Sequence, residues 1–137
     1  ALGADHAVNS RREDFAKAVA EVTGGKGAEA VLEFVGTEET LPKSFASLAV
    51  AGTLIVVGFQ PGAVFASDPT RFVSDEITVT GSRYVNRAEL AEAARWVGEG
   101  WVKPVISATY PLAEAERALA DLAANRIFGR APVLPLM

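Results

Sequence analysis

Apolar residues at helical spacing alternate along this chain with short, continuous apolar runs. Near the start, Phe15, Val19 and Val22 fall on one face of a predicted helix. Ser10 with Glu13 three residues later has capping-box spacing, so the pattern predicts that this helix begins at Ser10.

Four short segments are predicted strands. They span residues 6–9, 30–35, 53–57 and 76–80. The last three segments stop at Gly36, Gly58 and Gly81. The segments at 30–35 and 53–57 show little polar alternation, which is typical of strands covered on both faces.

A second helix is predicted between residues 37 and 52. Thr37 is its candidate cap, Leu41, Phe45 and Leu48 form its apolar face, and Gly52 is its predicted end.

The last third of the chain predicts two more helices and a strand. Asn86 and Glu89 form a cap pattern, and Tyr110-Pro111 is the predicted start of the final helix. The apolar face of that helix falls on Leu112, Ala115, Leu119 and Leu122. Residues 129–134 are the predicted closing strand.

Helices that alternate with apolar strands predict an α/β fold with a parallel sheet. Ligands of such sheets bind beyond the carboxyl ends of the strands. Gly36, Gly58 and Gly81 fall at these ends, where a missing side chain gives a ligand access to the backbone. The alternative is that each glycine only turns the chain.

Composition narrows the function classes. The 137 residues are 50% hydrophobic with a net charge of −4, and the basic residues are scattered, which argues against nucleic-acid binding. No apolar run is long enough to cross a membrane. Cysteine is absent, which excludes thiol chemistry and permits a cytoplasmic protein. The single histidine, His6, has no evident partner, so we predict neither a catalytic residue nor a metal ligand in this chain.

Longer stretches resemble a known family. They are LGADHAVN, GGKGAEAVLEFVGTEETLPKSFASLAVAGTLIVVGFQPG, ITVTGSRYVNRAELAEAARWVGEGWVKP and YPLAEAERALADLAANRIFGRAPVLP. In this order they resemble the C-terminal part of the zinc-type alcohol dehydrogenases of the medium-chain dehydrogenase/reductase superfamily. The resemblance implies that residues 1–83 are the C-terminal half of a Rossmann domain without its first βαβ unit. Residues 84–137 would return to the catalytic domain.

The resemblance also implies cofactor contacts. They are Phe34, Val35 and Gly36 beside the ribose, Val57, Gly58 and Phe59 facing the nicotinamide carboxamide through backbone groups, and Gly81, Ser82 and Arg83 completing that edge. Arg130 would approach the pyrophosphate, where a cation suits a diphosphate. From spacing alone, an ordinary surface charge is the favoured interpretation of both Arg83 and Arg130.

The family's glycine fingerprint and zinc ligands do not occur in this sequence. The resemblance therefore implies a fragment of an NAD- or NADP-dependent alcohol dehydrogenase, inactive alone, whose parent binds zinc and a small alcohol or carbonyl substrate. The alternatives are a fragment of a zinc-free quinone or enoyl reductase and a non-catalytic assembly module. Strand 76–80 is a plausible homo-oligomer edge, and strand 30–35 is expected to have one open apolar edge.

Overall fold

The computed structural model describes residues 2–135, which divide into two compact units, one ending at Tyr84 and one beginning at Val85. Ala1, Leu136 and Met137, which belong to the predicted domain ranges, lie outside the described residues. The assignment of residues 1–83 to a cofactor-binding domain and of 84–137 to a catalytic domain stays a prediction.

Three parallel strands form the sheet of the first unit in the order β1-β2-β3. They are β1 (Ala28–Glu33), β2 (Leu48–Val56) and β3 (Thr78–Gly81). Glu33 pairs with Val56, and Val56 pairs with Gly81, so the carboxyl ends of the three strands are aligned at one edge. The predicted parallel arrangement is confirmed, with β3 beginning two residues later than expected.

The chain before the first helix differs from the prediction. Residues 6–9 form no strand, and a turn follows in which the Arg12 N–H donates to the Asn9 carbonyl at 2.8 Å. Helix α1 spans Phe15–Val22, and its N-cap is Asp14, whose side chain accepts from Ala16 N at 3.0 Å. Ser10 is therefore not the cap, because the Asn9 turn already includes it.

Helix α2 (Thr40–Ala46) is shorter than predicted, and Gly52 lies inside β2. Leu48 is buried, but as a strand residue. The strand is irregular where the prediction failed: Ala51 has a φ of 58°, and the pairing with β1 shifts nearby. A glycine next to a bulge resembles a helix stop in sequence.

A third helix, α3 (Pro69–Ser74), was not predicted, and it completes the core of the first unit. Phe72 of α3 lies 5.0 Å from Phe45 of α2 between ring centroids. The buried centre consists of Phe45, Leu48, Leu54 and Ile77, with Leu54 fully buried.

Arg71 of α3 joins three segments of this unit. Its Nη1 donates to the Phe45 carbonyl and its Nη2 to the Leu48 carbonyl, both at 2.8 Å, and its Nε donates to Asp75 at 2.9 Å. The guanidinium also lies 5.1 Å from the centre of the Phe45 ring. Arg71 thus satisfies carbonyls around the end of α2, where helical partners are lacking.

The ends of β1 and β2 touch through their backbones. A Cβ on Gly58 would lie 1.8 Å from the Phe34 carbonyl oxygen, and one on Gly36 would lie 2.2 Å from the Gly58 oxygen. Gly36 also has a φ of +67°, which favours glycine. Gly81 differs, because the nearest atom to its Cβ position is the Val56 oxygen at 4.0 Å.

The second unit contains two helices and a small parallel sheet. They are α4 (Arg87–Gly98), α5 (Ala115–Ala123), β4 (Tyr110–Pro111) and β5 (Val133–Leu134), with a short 3₁₀ turn at Leu112–Glu114. The predicted cap of α4 is confirmed, since Asn86 and Glu89 form a complete capping box.

The predicted start of the final helix is wrong. Tyr110-Pro111 is strand β4 and not a helix start, because the Tyr110 N–H donates to the Pro132 carbonyl at 3.0 Å and its hydroxyl to Asp121 at 2.7 Å. The apolar face of this helix is exposed: Leu119 is 67% and Leu122 58% exposed. We call the surface that they line with Ile127 and Val133 the α5 groove, which has a volume of about 350 Å³.

We expect Arg71→Lys to lower the free energy of unfolding by about 2 kcal/mol, because one ammonium cannot replace a guanidinium that bonds two carbonyls and a carboxylate. Urea unfolding followed by circular dichroism measures the change. Arg12→Lys, in the exposed turn before α1, is the matched control. Equal stabilities of the two variants would contradict the role of Arg71.

The strand-end glycines give a second matched pair. Gly58→Ala places a Cβ in the Phe34 carbonyl, so we expect a loss of about 3 kcal/mol of stability or failure to fold. Gly81→Ala meets open space, and we expect a change within about 0.5 kcal/mol. Thermal unfolding compares the variants, and a tolerated Gly58→Ala would disprove the close contact.

Candidate functional site

The carboxyl ends of the three parallel strands form the candidate site of the first unit. We call residues 34–36, 57–59 and 81–83 the strand-end wall. Backbone hydrogen bonds link its segments through the residues on either side of 57–59: Gln60 N donates to the Gly36 carbonyl at 2.9 Å, and Ser82 N donates to the Val56 carbonyl at 3.0 Å. The structure thus brings together the predicted site residues of the first unit. Arg130 belongs to the second unit.

Large apolar side chains are exposed on the wall. Phe34 is 67%, Val35 59% and Phe59 77% exposed. Single exposed apolar residues are common on protein surfaces, but three at one sheet edge provide a surface for a flat, partly apolar ligand.

The reason for two of the glycines differs from the expectation. Ligand access to the backbone was one of the two interpretations of Gly36 and Gly58, but the Cβ position of each is filled by backbone of the other strand end. Of the three glycines, only Gly81 has room for a Cβ, because the nearest atom to that position is 4.0 Å away. Two of the three glycines therefore serve the packing of the wall itself.

Glu33 is the functional candidate that the sequence interpretation missed. It was included in the apolar run 30–35, yet it is the charged residue of that run and only 5% exposed. Its carboxylate accepts from Val35 N at 2.8 Å, from Gly36 N at 2.9 Å and from Ser44 Oγ at 2.5 Å. A charge within an otherwise buried strand was the available signal.

Burial acts to raise the pKa of Glu33, but the hydrogen bonds from Ser44, Gly36 and Val35 and a contribution from Thr40 outweigh it. The pKa therefore lies below the ordinary value for a glutamate. The side chain is an anion at neutral pH, stabilised by amide and hydroxyl dipoles.

A polar cavity of about 540 Å³ lies between the loops that follow β1 and β2. Its lining is Thr37, Glu38, Glu39, Gln60, Pro61, Gly62 and Ala63. Glu38 accepts from Val64 N at 3.3 Å, which links the two loops. Carboxylates and amides in this lining suit a hydroxyl-bearing ligand better than a phosphate, which they would repel.

The two candidate cations have different surroundings. The Arg83 guanidinium lies 4.5 Å from the centre of the Tyr84 ring and donates to the Tyr84 hydroxyl at 3.2 Å. Arg130 is fixed through its backbone, since its N–H donates to Val105 and its carbonyl accepts from Ser107. Both side chains are exposed, and neither pairs with a carboxylate among residues 2–135.

The chain does not offer a zinc centre within the part that the structure describes. No group of three histidine, cysteine, aspartate or glutamate residues converges there, and the sequence has one histidine and no cysteine. We therefore assign no zinc chemistry to these residues. Among the described helices, none has the length and hydropathy needed to span a bilayer.

Comparison with known proteins gives the family. The family model described as "Zinc-binding dehydrogenase" matches residues 2–131. A 2-haloacrylate reductase of Burkholderia sp is 32% identical over 98% of this chain, and an NAD-dependent alcohol dehydrogenase of Saccharolobus solfataricus is 30% identical over 97%. The crystal structure of the alcohol dehydrogenase from Aeropyrum pernix superimposes with a TM-score of 0.86 at 33% identity, over 97% of this chain.

These relatives are much longer than the matched region. The chain spans 43% of the Burkholderia reductase, 38% of the Saccharolobus enzyme and 38% of the Aeropyrum structure. The expectation that it corresponds to part of such enzymes is confirmed, and its three-stranded parallel sheet is part of a Rossmann fold. The chain belongs to the zinc-binding dehydrogenase family, within the medium-chain dehydrogenase/reductase superfamily.

Proposed function

We propose that this chain supplies the nicotinamide-side wall of the cofactor site in an NAD- or NADP-dependent alcohol dehydrogenase. The whole enzyme would transfer a hydride between an alcohol or carbonyl substrate and the cofactor. The observation that carries the proposal is the alignment of three parallel strand ends at one edge, with exposed Phe34, Val35 and Phe59.

The wall residues have positioning roles in this proposal. Phe34, Val35 and Gly36 would lie beside the ribose, and Val57, Gly58 and Phe59 would face the nicotinamide carboxamide through backbone groups. Gly81, Ser82 and Arg83 would complete the edge, and Arg130 would neutralise the pyrophosphate.

No residue of the chain is assigned to bond making, so we expect the chain alone to be inactive. The bound cofactor supplies the hydride chemistry. The chain's own contribution is to hold the nicotinamide end in a fixed orientation.

A second candidate is a reductase of the same superfamily. The 32% identity to a 2-haloacrylate reductase favours it, at a level similar to the identity with the alcohol dehydrogenase. The wall would serve both reactions equally, because both need an oriented nicotinamide. An activity assay of the whole protein with alcohols and with activated alkenes separates the two.

We further propose that β3 joins two copies of the chain. Among the described strands, β3 pairs only with β2, so its other edge is open, and residues 78–81 are exposed. An open strand edge is a template for pairing with another chain. A non-catalytic assembly module would use the same edge and lack the cofactor.

The cofactor proposal predicts localised amide shifts when NAD⁺ or NADP⁺ is titrated into the ¹⁵N-labelled chain. We expect saturable shifts of residues 34–36, 57–59 and 81–83, because these would contact the nicotinamide half. Nicotinamide mononucleotide, which lacks the adenosine half of the cofactor, is the control and should shift the same amides. No saturable shift with millimolar cofactor, or shifts confined to other residues, would contradict the proposal.

The oligomer proposal predicts that Val79→Pro produces a monomer. Because N–H groups alternate along a strand and Ser82 N donates to β2, the Val79 N–H faces the open edge, so proline removes a pairing donor without breaking the β2 ladder. Val79→Thr keeps the N–H and should remain a dimer. Sedimentation velocity measures the outcome, and a monomeric parent chain at about 100 μM, or a dimeric Val79→Pro, would refute it.

A further inference from the structure

Glu33 contacts both of the wall segments that meet through their backbones. Its carboxylate accepts from the N–H groups of Val35 and Gly36 at 2.8 and 2.9 Å. Its backbone carbonyl accepts from Val57 and Gly58, again at 2.8 and 2.9 Å. One residue thus binds four amides, two in each segment, all at predicted cofactor positions.

The carboxylate has no cationic partner within the described residues. Its remaining oxygen accepts from Ser44 Oγ, and the hydroxyl of Thr40, which is also in α2, contributes to lowering the pKa of the carboxyl group. A buried anion without a counter-ion is costly unless hydrogen bonds compensate for lost hydration. Glu33 is therefore unlike the exposed, solvated Glu29 on the same strand.

Two successive N–H groups that point at one oxygen have the arrangement by which backbones bind anions. In this protein an internal carboxylate already occupies that position, beside Gly36 with its φ of +67°. The two N–H groups therefore already have an anionic acceptor. The exposed groups that remain are the side chains of Phe34 and Val35, which suit an uncharged part of a ligand.

We propose that Glu33 is the positioning residue of the strand-end wall, and that its negative charge fixes the amides of Val35 and Gly36 and keeps phosphate away from them. Its effect on the cofactor rests on the proposed function. Its effect on the two amides is independent of that function.

The test compares Glu33→Gln with Glu29→Gln in the full chain. The Glu33→Gln substitution keeps the size of the side chain and an acceptor oxygen but removes the charge. We therefore expect hydrogen exchange of Val35 and Gly36 to accelerate about tenfold or more, because charge-assisted bonds are the stronger ones. Exchange of Val57 and Gly58 should change little, since the Glu33 carbonyl remains. Glu29→Gln should change neither pair.

Cofactor titrations of the same variants separate the two proposals. We expect Glu33→Gln to weaken NADH binding about fivefold and Glu29→Gln to change it less than twofold. If the parent chain binds no NADH, the proposed function fails while the exchange result still decides the role of Glu33. Unchanged exchange of Val35 and Gly36 in Glu33→Gln overturns the inference.

A pH titration keeps the inference testable if Glu33→Gln does not fold. In the parent chain, the amide proton shifts of Val35 and Gly36 should move together as Glu33 protonates, below the ordinary pKa of a glutamate. Ser44→Ala removes one donor to the carboxylate, so the midpoint should rise. The absence of a shared midpoint, or a midpoint unaffected by Ser44→Ala, overturns the inference.

Discussion

The backbone contact between the ends of β1 and β2 is the constraint on which the candidate site depends. The Gly58 Cα and the Phe34 carbonyl are so close that no side chain fits between them, and the Gly36 position is equally filled. Glu33 stabilises this contact from both sides, through its carboxylate and its carbonyl. Two of the three wall segments therefore pack directly against each other, and only the segment at Gly81 takes no part in this contact.

The sequence predicted the sheet well because its strands have a clear physical pattern. The runs around Val31 and Leu54 are largely apolar, the segment around Val79 alternates apolar and polar residues, and glycines mark where all three stop. The family resemblance then ordered them as part of a Rossmann fold. The α4 cap was equally predictable, because the side chains of Asn86 and Glu89 each accept a hydrogen bond from the backbone N–H of the other residue. These features depend on residues that are close in sequence or on a clear pattern of apolar positions.

Several of the failures concern features decided by distant residues. Helix α3 is only six residues long and is stabilised by Arg71 bonds to carbonyls more than twenty positions away. Tyr110 was assigned to a helix, but its pairing with Val133 makes it a strand residue. Glu33 was included in an apolar run without comment, and its role depends on the Ser44 hydroxyl and two amides that bind its carboxylate. The site residues were named through the resemblance, and the reason for Gly36 and Gly58 emerged only from the packing.

The α5 groove has a consequence for how this chain behaves in water. Contacts made through Leu119 and Leu122 would be driven by release of water from hydrocarbon, so they should weaken on cooling and strengthen in sulfate. Pairing of β3 edges relies mainly on amide-to-carbonyl bonds and lacks that thermal signature. The effects of temperature and sulfate on association therefore distinguish apolar contacts at the α5 groove from strand pairing at the β3 edge.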